Sequence, residues 1–354
     1  MSTTLTLDDF TARLSELQGS LAARDPDGID YALRLAAAES LYLFHDALRS
    51  ADRSFDRAAF AERIADVRRL VERADAVCPA PGVARLPRPA YETYVADLYS
   101  RCWAKYDDHQ FGRTVDMFAE RFALNGVRVD LSGRDALDAG CGSGRYTLAL
   151  ANLGARHAHG VDLSARAVTE ATARARRIGY DDRVSFSQGS VIDLPSDWTA
   201  RFDFVCSNGV VHHTPDPVRG LKEIFRVLQP GGQAFVMVYG TGGLFWALTD
   251  FCREALTPVP LDVADAWLVM RGTPVGKIFF CLDHWYTQYQ ERVTREELES
   301  RLGAAGFTEM TYLPRALVYD ASERFERFPE ERDLIGSPDM RYLATKPRRA
   351  GVID

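Results

Sequence analysis

What the 354-residue chain lacks bounds it first. It has no basic excess: 43 Lys and Arg stand against 50 Asp and Glu, a net charge of -7. A partner recognised through its phosphate backbone calls for the opposite balance, so no nucleic acid is expected. Its six cysteines, Cys78, Cys102, Cys141, Cys206, Cys252 and Cys281, are scattered, and no two lie at zinc-ligand spacing. They read as reduced, buried thiols of a cytoplasmic protein, with neither a disulfide framework nor a metal site. No apolar run approaches the roughly 18 residues of a membrane span, so no membrane is expected. The stretch Met1 to Asp9 has neither a basic segment nor an apolar core, unlike a signal peptide. No internal repeat is detectable. What is there is ordinary globular material, 46% hydrophobic and 26% charged, long enough for about two domains.

The first 77 residues carry helical periodicity. Leu7, Phe10, Leu14, Leu17 and Leu21 recur at steps of three and four, with Thr6 and Asp9 placed as a capping box. A second helix is expected over 29–48. A third, over 57–76, has Phe60, Ile64, Val67, Leu70 and Val71 on one face. Residues 1–78 therefore form an N-terminal helical region. Residues 79–90, Pro- and Gly-rich, read as a linker. The segment 91–133 is an aromatic helical cap, with Tyr91, Tyr94, Tyr99, Trp103 and Tyr106, then a helix over 111–122.

From residue 134 the period changes. Strands are expected at 136–139, 157–162, 184–188, 202–207 and 233–239. Helices are expected at 145–153, 165–178 and 217–228, the last with Val218 on its apolar face, and a Pro230-Gly turn precedes the fifth strand. Strand alternating with helix implies a parallel sheet covered on both faces. An aromatic-rich insert, 240–293, interrupts the pattern. Thr294 and Glu297 then open a capped helix that Gly306 stops, and strands follow at 309–319 and 339–345.

One stretch organises this domain, Ala136-Leu-Asp-Ala-Gly-Cys-Gly-Ser-Gly144. An apolar strand ends in an acid, glycines follow at alternate positions, and a helix begins at once. Glycine permits the turn and a close ligand approach, and the helix start offers free N–H groups. The spacing is G-x-G-x-G, not the G-x-G-x-x-G of dinucleotide binders. The second strand ends in Asp162, 24 positions after Asp138. A carboxylate placed there suits both hydroxyls of a ribose, so a nucleoside ligand is expected, with or without a pyrophosphate.

These residues resemble the class I S-adenosylmethionine-dependent methyltransferases of the type 11 branch. The matching stretches are Leu137 to Gly144, Gly160-Val-Asp-Leu-Ser164, Gly189-Ser-Val-Ile-Asp-Leu-Pro195, Phe202 to His213 and Leu228-Gln-Pro-Gly-Gly232. The resemblance covers about 134–240 closely, the tail to 346 loosely, and the first 125 or so residues not at all. It implies a Rossmann-like, doubly wound, mostly parallel seven-stranded α/β sheet, here with an N-terminal α-helical cap, and S-adenosylmethionine as cofactor. Gly140, Gly142 and Gly144 would line the methionine part, Asp138 would order the turn or meet the amino group, Asp162 would hold the ribose with Leu163 a further cofactor-binding residue, and the Asn208 carbonyl would meet the ammonium. The family commonly has an acid where this chain has Ser190, so the adenine contact passes to Ser190, Val191 or Asp193.

The resemblance implies methyl transfer to an O, N or C atom of a small-molecule acceptor in specialised metabolism. His212 and His213 are the candidates for a base, with His109 and His284 behind them, and Tyr106 is a candidate aromatic wall for a sulfonium. The flanking aromatic segments read as a lid over an apolar acceptor pocket, or as further core or the surface of a homodimer. Two other readings share the fold and cofactor. One is a non-methylating enzyme, by intramolecular cyclisation or aminocarboxypropyl transfer, that releases methylthioadenosine. The other is a regulatory protein that binds the cofactor without turnover.

Overall fold

The computed structural model describes residues 5–23, 28–50, 52–77, 91–316 and 321–348. The expected linker at 79–90 lies outside them. Helices come first: α1 (Leu7–Ala22), α2 (Gly28–Tyr42), α3 (Phe44–Arg49), α4 (Arg57–Val77), α5 (Tyr91–Ala104) and α6 (Asp108–Leu124). Strands and helices then alternate as β1 (Asp135–Ala139), α7 (Arg145–Asn152), β2 (His157–Asp162), α8 (Ala165–Arg177), β3 (Val184–Gln188), β4 (Phe202–Asn208), α9 (Pro217–Val227) and β5 (Leu228–Tyr239). The rest comprises α10 (Gly243–Ala255), α11 (Leu261–Met270), α12 (Val275–Tyr286), α13 (Arg295–Ala305), β6 (Glu309–Tyr312), α14 (Ala321–Arg327), α15 (Arg332–Ile335) and β7 (Asp339–Thr345).

The chain divides into two compact units. A helical unit comprises Met1–Pro89, Thr241–Tyr286 and Tyr319–Pro338, and a sheet unit comprises Ala90–Gly240, Thr287–Val318 and Asp339–Asp354.

In the sheet unit the strand order is β3-β2-β1-β4-β5-β7-β6. The first five strands are parallel, while β7 runs antiparallel between β5 and β6. Successive side chains on a strand point to opposite faces, and here both faces are covered. One face packs Ala136, Phe204 and Phe235 under Phe118 and Phe122 of α6 and Leu148 of α7. The other packs Leu137, Val205 and Val236 under Leu221 and Ile224 of α9 and Leu298 and Leu302 of α13. This double burial is why the strands read as short apolar runs and not as alternating ones.

Three boundaries differ from expectation. The Pro230-Gly turn is absorbed into β5 as an irregularity, because Gly231 donates to the Lys346 carbonyl and Lys346 to the Gly232 carbonyl, both at 2.9 Å. Strand β6 stops at Tyr312; Leu313 makes a last bond to Arg341, and Pro314 has no N–H to continue it. The helix expected over 29–48 is two, α2 and α3, separated at Leu43. In α9, Val218 is 40% exposed because Gly220, Leu221, Ile224 and Val227 form the buried stripe.

In the helical unit Phe10, Leu14, Leu17 and Leu21 of α1 and Phe60, Ile64, Val67 and Val71 of α4 are buried. Leu70, expected among them, lies off that stripe and is 49% exposed. Both capping boxes form, Thr6 with Asp9 and Thr294 with Glu297, and Gly306 ends α13 at φ 114°. Much of the insert becomes α10 to α12. Arg34 of α2 donates to the Ala255 carbonyl at the end of α10, at 3.0 Å. Among the described residues no helix is long and apolar enough to cross a membrane.

Candidate functional site

The site lies in the sheet unit, where the strand order reverses between β1 and β4 and the carboxyl ends of the strands carry the loops. Three glycines take left-handed dihedrals there, Gly140 at φ 91°, Gly142 at 51° and Gly144 at 85°. Gly140 and Cys141 both donate to the Val161 carbonyl, at 2.8 and 2.9 Å, which folds the turn over the end of β2. A Cβ on Gly140 would stand 2.4 Å from Val210 Cγ1, and one on Gly142 would stand 2.7 Å from Trp103 Nε1. The turn therefore requires glycine both for its dihedrals and for its clearance.

Two carboxylates support the turn from different sides. Asp138 is 1% exposed, and its Oδ2 accepts from the Thr147 hydroxyl of α7 at 2.7 Å. Burial, with the charge of Asp162 adding to it, pushes its pKa up to about 7 against the pull of Thr147. Asp138 thus ties β1 to the start of α7 from beneath the turn. The Asp162 Oδ2 accepts from the Gly142 N–H at 2.8 Å and Oδ1 from the Ser164 N–H at 2.9 Å. Burial raises its pKa, and these two N–H bonds oppose the rise. Each oxygen keeps a lone pair beyond the backbone bond it accepts. Beside it the Leu163 carbonyl accepts from Gln188 Nε2 at 3.0 Å.

The residues after β3 form a tight loop. Ser190 and Asp193 bridge each other, and Val191 is buried. The Asp193 carboxylate turns outward to Arg219 of α9, at 2.7 Å, and its side chain is 78% exposed. Of the three candidates for the adenine contact, Asp193 is the one in a surface ion pair.

At the end of β4 the Asn208 side chain is taken by α6: Arg121 Nη1 donates to Asn208 Oδ1 at 2.7 Å, while the Arg121 guanidinium lies over Phe235. Immediately after comes the 3-10 turn Val211–His213. His212 and His213 are buried, with ring centroids 4.0 Å apart, and His212 stacks 4.2 Å from Tyr239. His213 Nδ1 donates to the Tyr289 carbonyl at 2.9 Å, and Glu291 donates to the His212 carbonyl at 2.9 Å. The Tyr289 bond fixes the neutral His213 tautomer with its lone pair on Nε2.

The other catalytic candidates lie on other elements. His109 is exposed in the first turn of α6, next to Asp108, which pairs with Arg174 and Arg177 of α8. His284 belongs to the helical unit, where its Nδ1 and the Tyr42 hydroxyl are 2.7 Å apart. Tyr106 is partly buried and stacks 5.6 Å from Trp103, and its aromatic face already has a cation, the Arg145 guanidinium at 5.3 Å. Burial raises the Tyr106 pKa, partly offset by that guanidinium. Sequence reasoning did not single out Arg145, Arg121, Thr147 or Tyr239. Arg145 was adjacent to a marked glycine, but its stacking partner is 42 residues upstream. Among the described residues no cluster of metal-ligating side chains is present.

Comparison with known proteins shows the family. A family model described as a methyltransferase domain matches residues 130–253. The chain is 30% identical to 27-O-demethylrifamycin SV methyltransferase of Amycolatopsis mediterranei over 248 residues, 67% of this chain and 80% of that one. It is 35% identical to the ubiquinone biosynthesis O-methyltransferase of Xanthomonas oryzae over 153 residues, 43% of this chain and 59% of that one. Its coverage of the curated relatives it matches ranges from 26% of one to 80% of another. A putative methyltransferase solved with the Haloferax volcanii Trm112 activator aligns with 74% of this chain and 100% of its own, at 20% identity and a TM-score of 0.44. The chain belongs to the class I S-adenosylmethionine-dependent methyltransferases.

Proposed function

We propose that the protein transfers a methyl group from S-adenosylmethionine to a small-molecule acceptor of specialised metabolism. One observation carries the reading. The glycine cradle, the Asp162 carboxylate bonded to it and the buried His212–His213 pair occupy the adjoining carboxyl ends of β1, β2 and β4. The residues fit the cofactor. Side chains on Gly140 and Gly142 would collide with Val210 and Trp103, so only glycine keeps the turn folded against the Val161 carbonyl and the Asp162 carboxylate. Bound there, the cofactor supplies an electrophilic methyl group on a sulfonium with a neutral leaving group.

The chain's own part is binding, orientation and proton handling. Asp162 keeps acceptor capacity for ribose hydroxyls and is held in place by the N–H groups of Gly142 and Ser164. Leu163 flanks the same ligand edge, and Ser190 and Val191 serve its base. Arg121 occupies the Asn208 side chain, so the Asn208 carbonyl is the part that meets an ammonium. His213 offers Nε2 as the base for an acceptor hydroxyl or amine, while Tyr289 holds Nδ1–H; His212 packs behind it against Tyr239. The two curated relatives, one named for a rifamycin derivative and one for ubiquinone biosynthesis, support a small-molecule acceptor.

Titration with S-adenosylmethionine and mass analysis of the products test the proposal. Asp162→Ala should weaken cofactor binding by at least about 1.5 kcal/mol, because a charge-assisted contact is lost. With an acceptor panel of phenols and amines, acceptor-dependent release of S-adenosylhomocysteine is the expected outcome. Release of methylthioadenosine would replace this reading with the non-methylating one, and binding without turnover would favour a regulatory role.

A further inference from the structure

Arg145 opens α7 directly after Gly144, and its guanidinium carbon lies 3.8 Å from the Trp103 ring centroid, 5.3 Å from Tyr106 and 5.5 Å from Tyr146. It is partly buried, and among the described residues no carboxylate comes within ion-pair reach of it. The two acids of the turn are engaged elsewhere, Asp138 with the Thr147 hydroxyl and Asp162 with two backbone N–H groups. A cation at a helix N-terminus faces the positive end of the dipole, so nothing in the helix favours it there. The Tyr106 hydroxyl engages one guanidinium donor, and contact with aromatic faces leaves the remaining in-plane N–H donors for a planar anion. The same Trp103 indole lies on the turn, since its Nε1 is the atom a Cβ on Gly142 would meet at 2.7 Å. Arg145 is therefore a cation held among three aromatic rings at the edge of the cradle.

We infer that Arg145 is the anion anchor of the cofactor site. Its guanidinium edge takes the carboxylate at the amino-acid end of S-adenosylmethionine, and Trp103 and Tyr106 hold the guanidinium in position. The inference rests on the cofactor reading of the glycine turn and adds to it the residue that recognises the carboxylate.

Calorimetric titration of the full chain with S-adenosylmethionine and with its decarboxylated form tests it, because the two ligands differ only in that carboxylate. The wild-type protein should bind the carboxylated ligand at least tenfold more tightly, as a charge-assisted bidentate contact implies. Arg145→Gln should erase that preference while leaving affinity for the decarboxylated form within about twofold, and Arg145→Lys should restore part of it. Equal wild-type affinity for the two ligands overturns the assignment, and this measurement needs no variant to fold. An equal loss of both ligands in Arg145→Gln also overturns it, since that marks a structural role. Failure of the wild-type protein to bind either ligand would overturn the cofactor reading, and the anchor with it.

Discussion

Two aspartates that look alike in sequence do different work. Asp162 bonds backbone N–H groups of two loop residues with its two oxygens, whereas Asp138 is sealed beneath the turn against Thr147 of α7. The Asp138 pKa, raised from 3.8 to about 7, sets a pH dependence. Between those values the folded chain holds a proton that the unfolded chain has released, so this group's contribution falls as pH rises from about 4 to about 7. The span corresponds to at most about 4 kcal/mol. Asp138→Asn removes the titration. Urea midpoints of both proteins at pH 4.5 and 7.5 should show the wild-type protein losing ground to the variant at the higher pH; a gap independent of pH would refute the assignment. Both acids were legible in the sequence as strand ends. Their difference was not, because burial and the Thr147 contact depend on how α7 returns over β1.

At the scale of elements, the parts determined by local physics were readable. Both capping boxes, the Gly306 stop and the apolar strands formed where spacing placed them, because each depends on neighbours within a few residues. Elements that depend on distant partners were not readable. Helices α14 and α15 escaped notice, and what holds them is a buried ion pair. Arg324 is fully buried and donates to Glu331 Oε2 at 2.9 and 2.6 Å, to the Ala47 carbonyl at 2.7 Å and to the Ser50 carbonyl. Glu331 in turn accepts from the Phe55 N–H at 2.6 Å. Arg324→Met leaves a buried carboxylate without its cation and should cost about 3–5 kcal/mol. Pairing it with Glu331→Met should recover part of that loss in thermal or urea unfolding, because the lone charge is removed. A double variant less stable than the sum of the two single variants would refute this account.

At the scale of the molecule, the helical unit is assembled from three separated stretches of chain. Its middle stretch, 241–286, depends on the first. His45 Nε2 lies 3.1 Å from both the Phe245 carbonyl and the Thr249 hydroxyl, and its ring stacks between Tyr42 and Phe245 at 4.2 and 4.1 Å. Burial depresses the His45 pKa well below the usual imidazole value, so it packs as a neutral ring. Deleting residues 1–77 should therefore cost more helical signal in far-ultraviolet circular dichroism than those residues supply, with new binding of an apolar dye to the uncovered α10 face; a loss equal to the deleted helices alone would show that 241–286 folds without them. The sequence by itself determined the alternation of strands and helices from β1 to β5, the glycine turn, the Asp162 position and the cofactor family, since these are written in short-range spacing and in a motif of contiguous residues. Only the tertiary structure decided that Asp138 lies buried under the turn, that Tyr289 holds His213, that Arg121 occupies Asn208 and that Arg145 stacks on Trp103 beside the glycines. Each of those pairings joins residues brought together by packing, and packing energy depends on which surfaces meet in space, which residue order does not record.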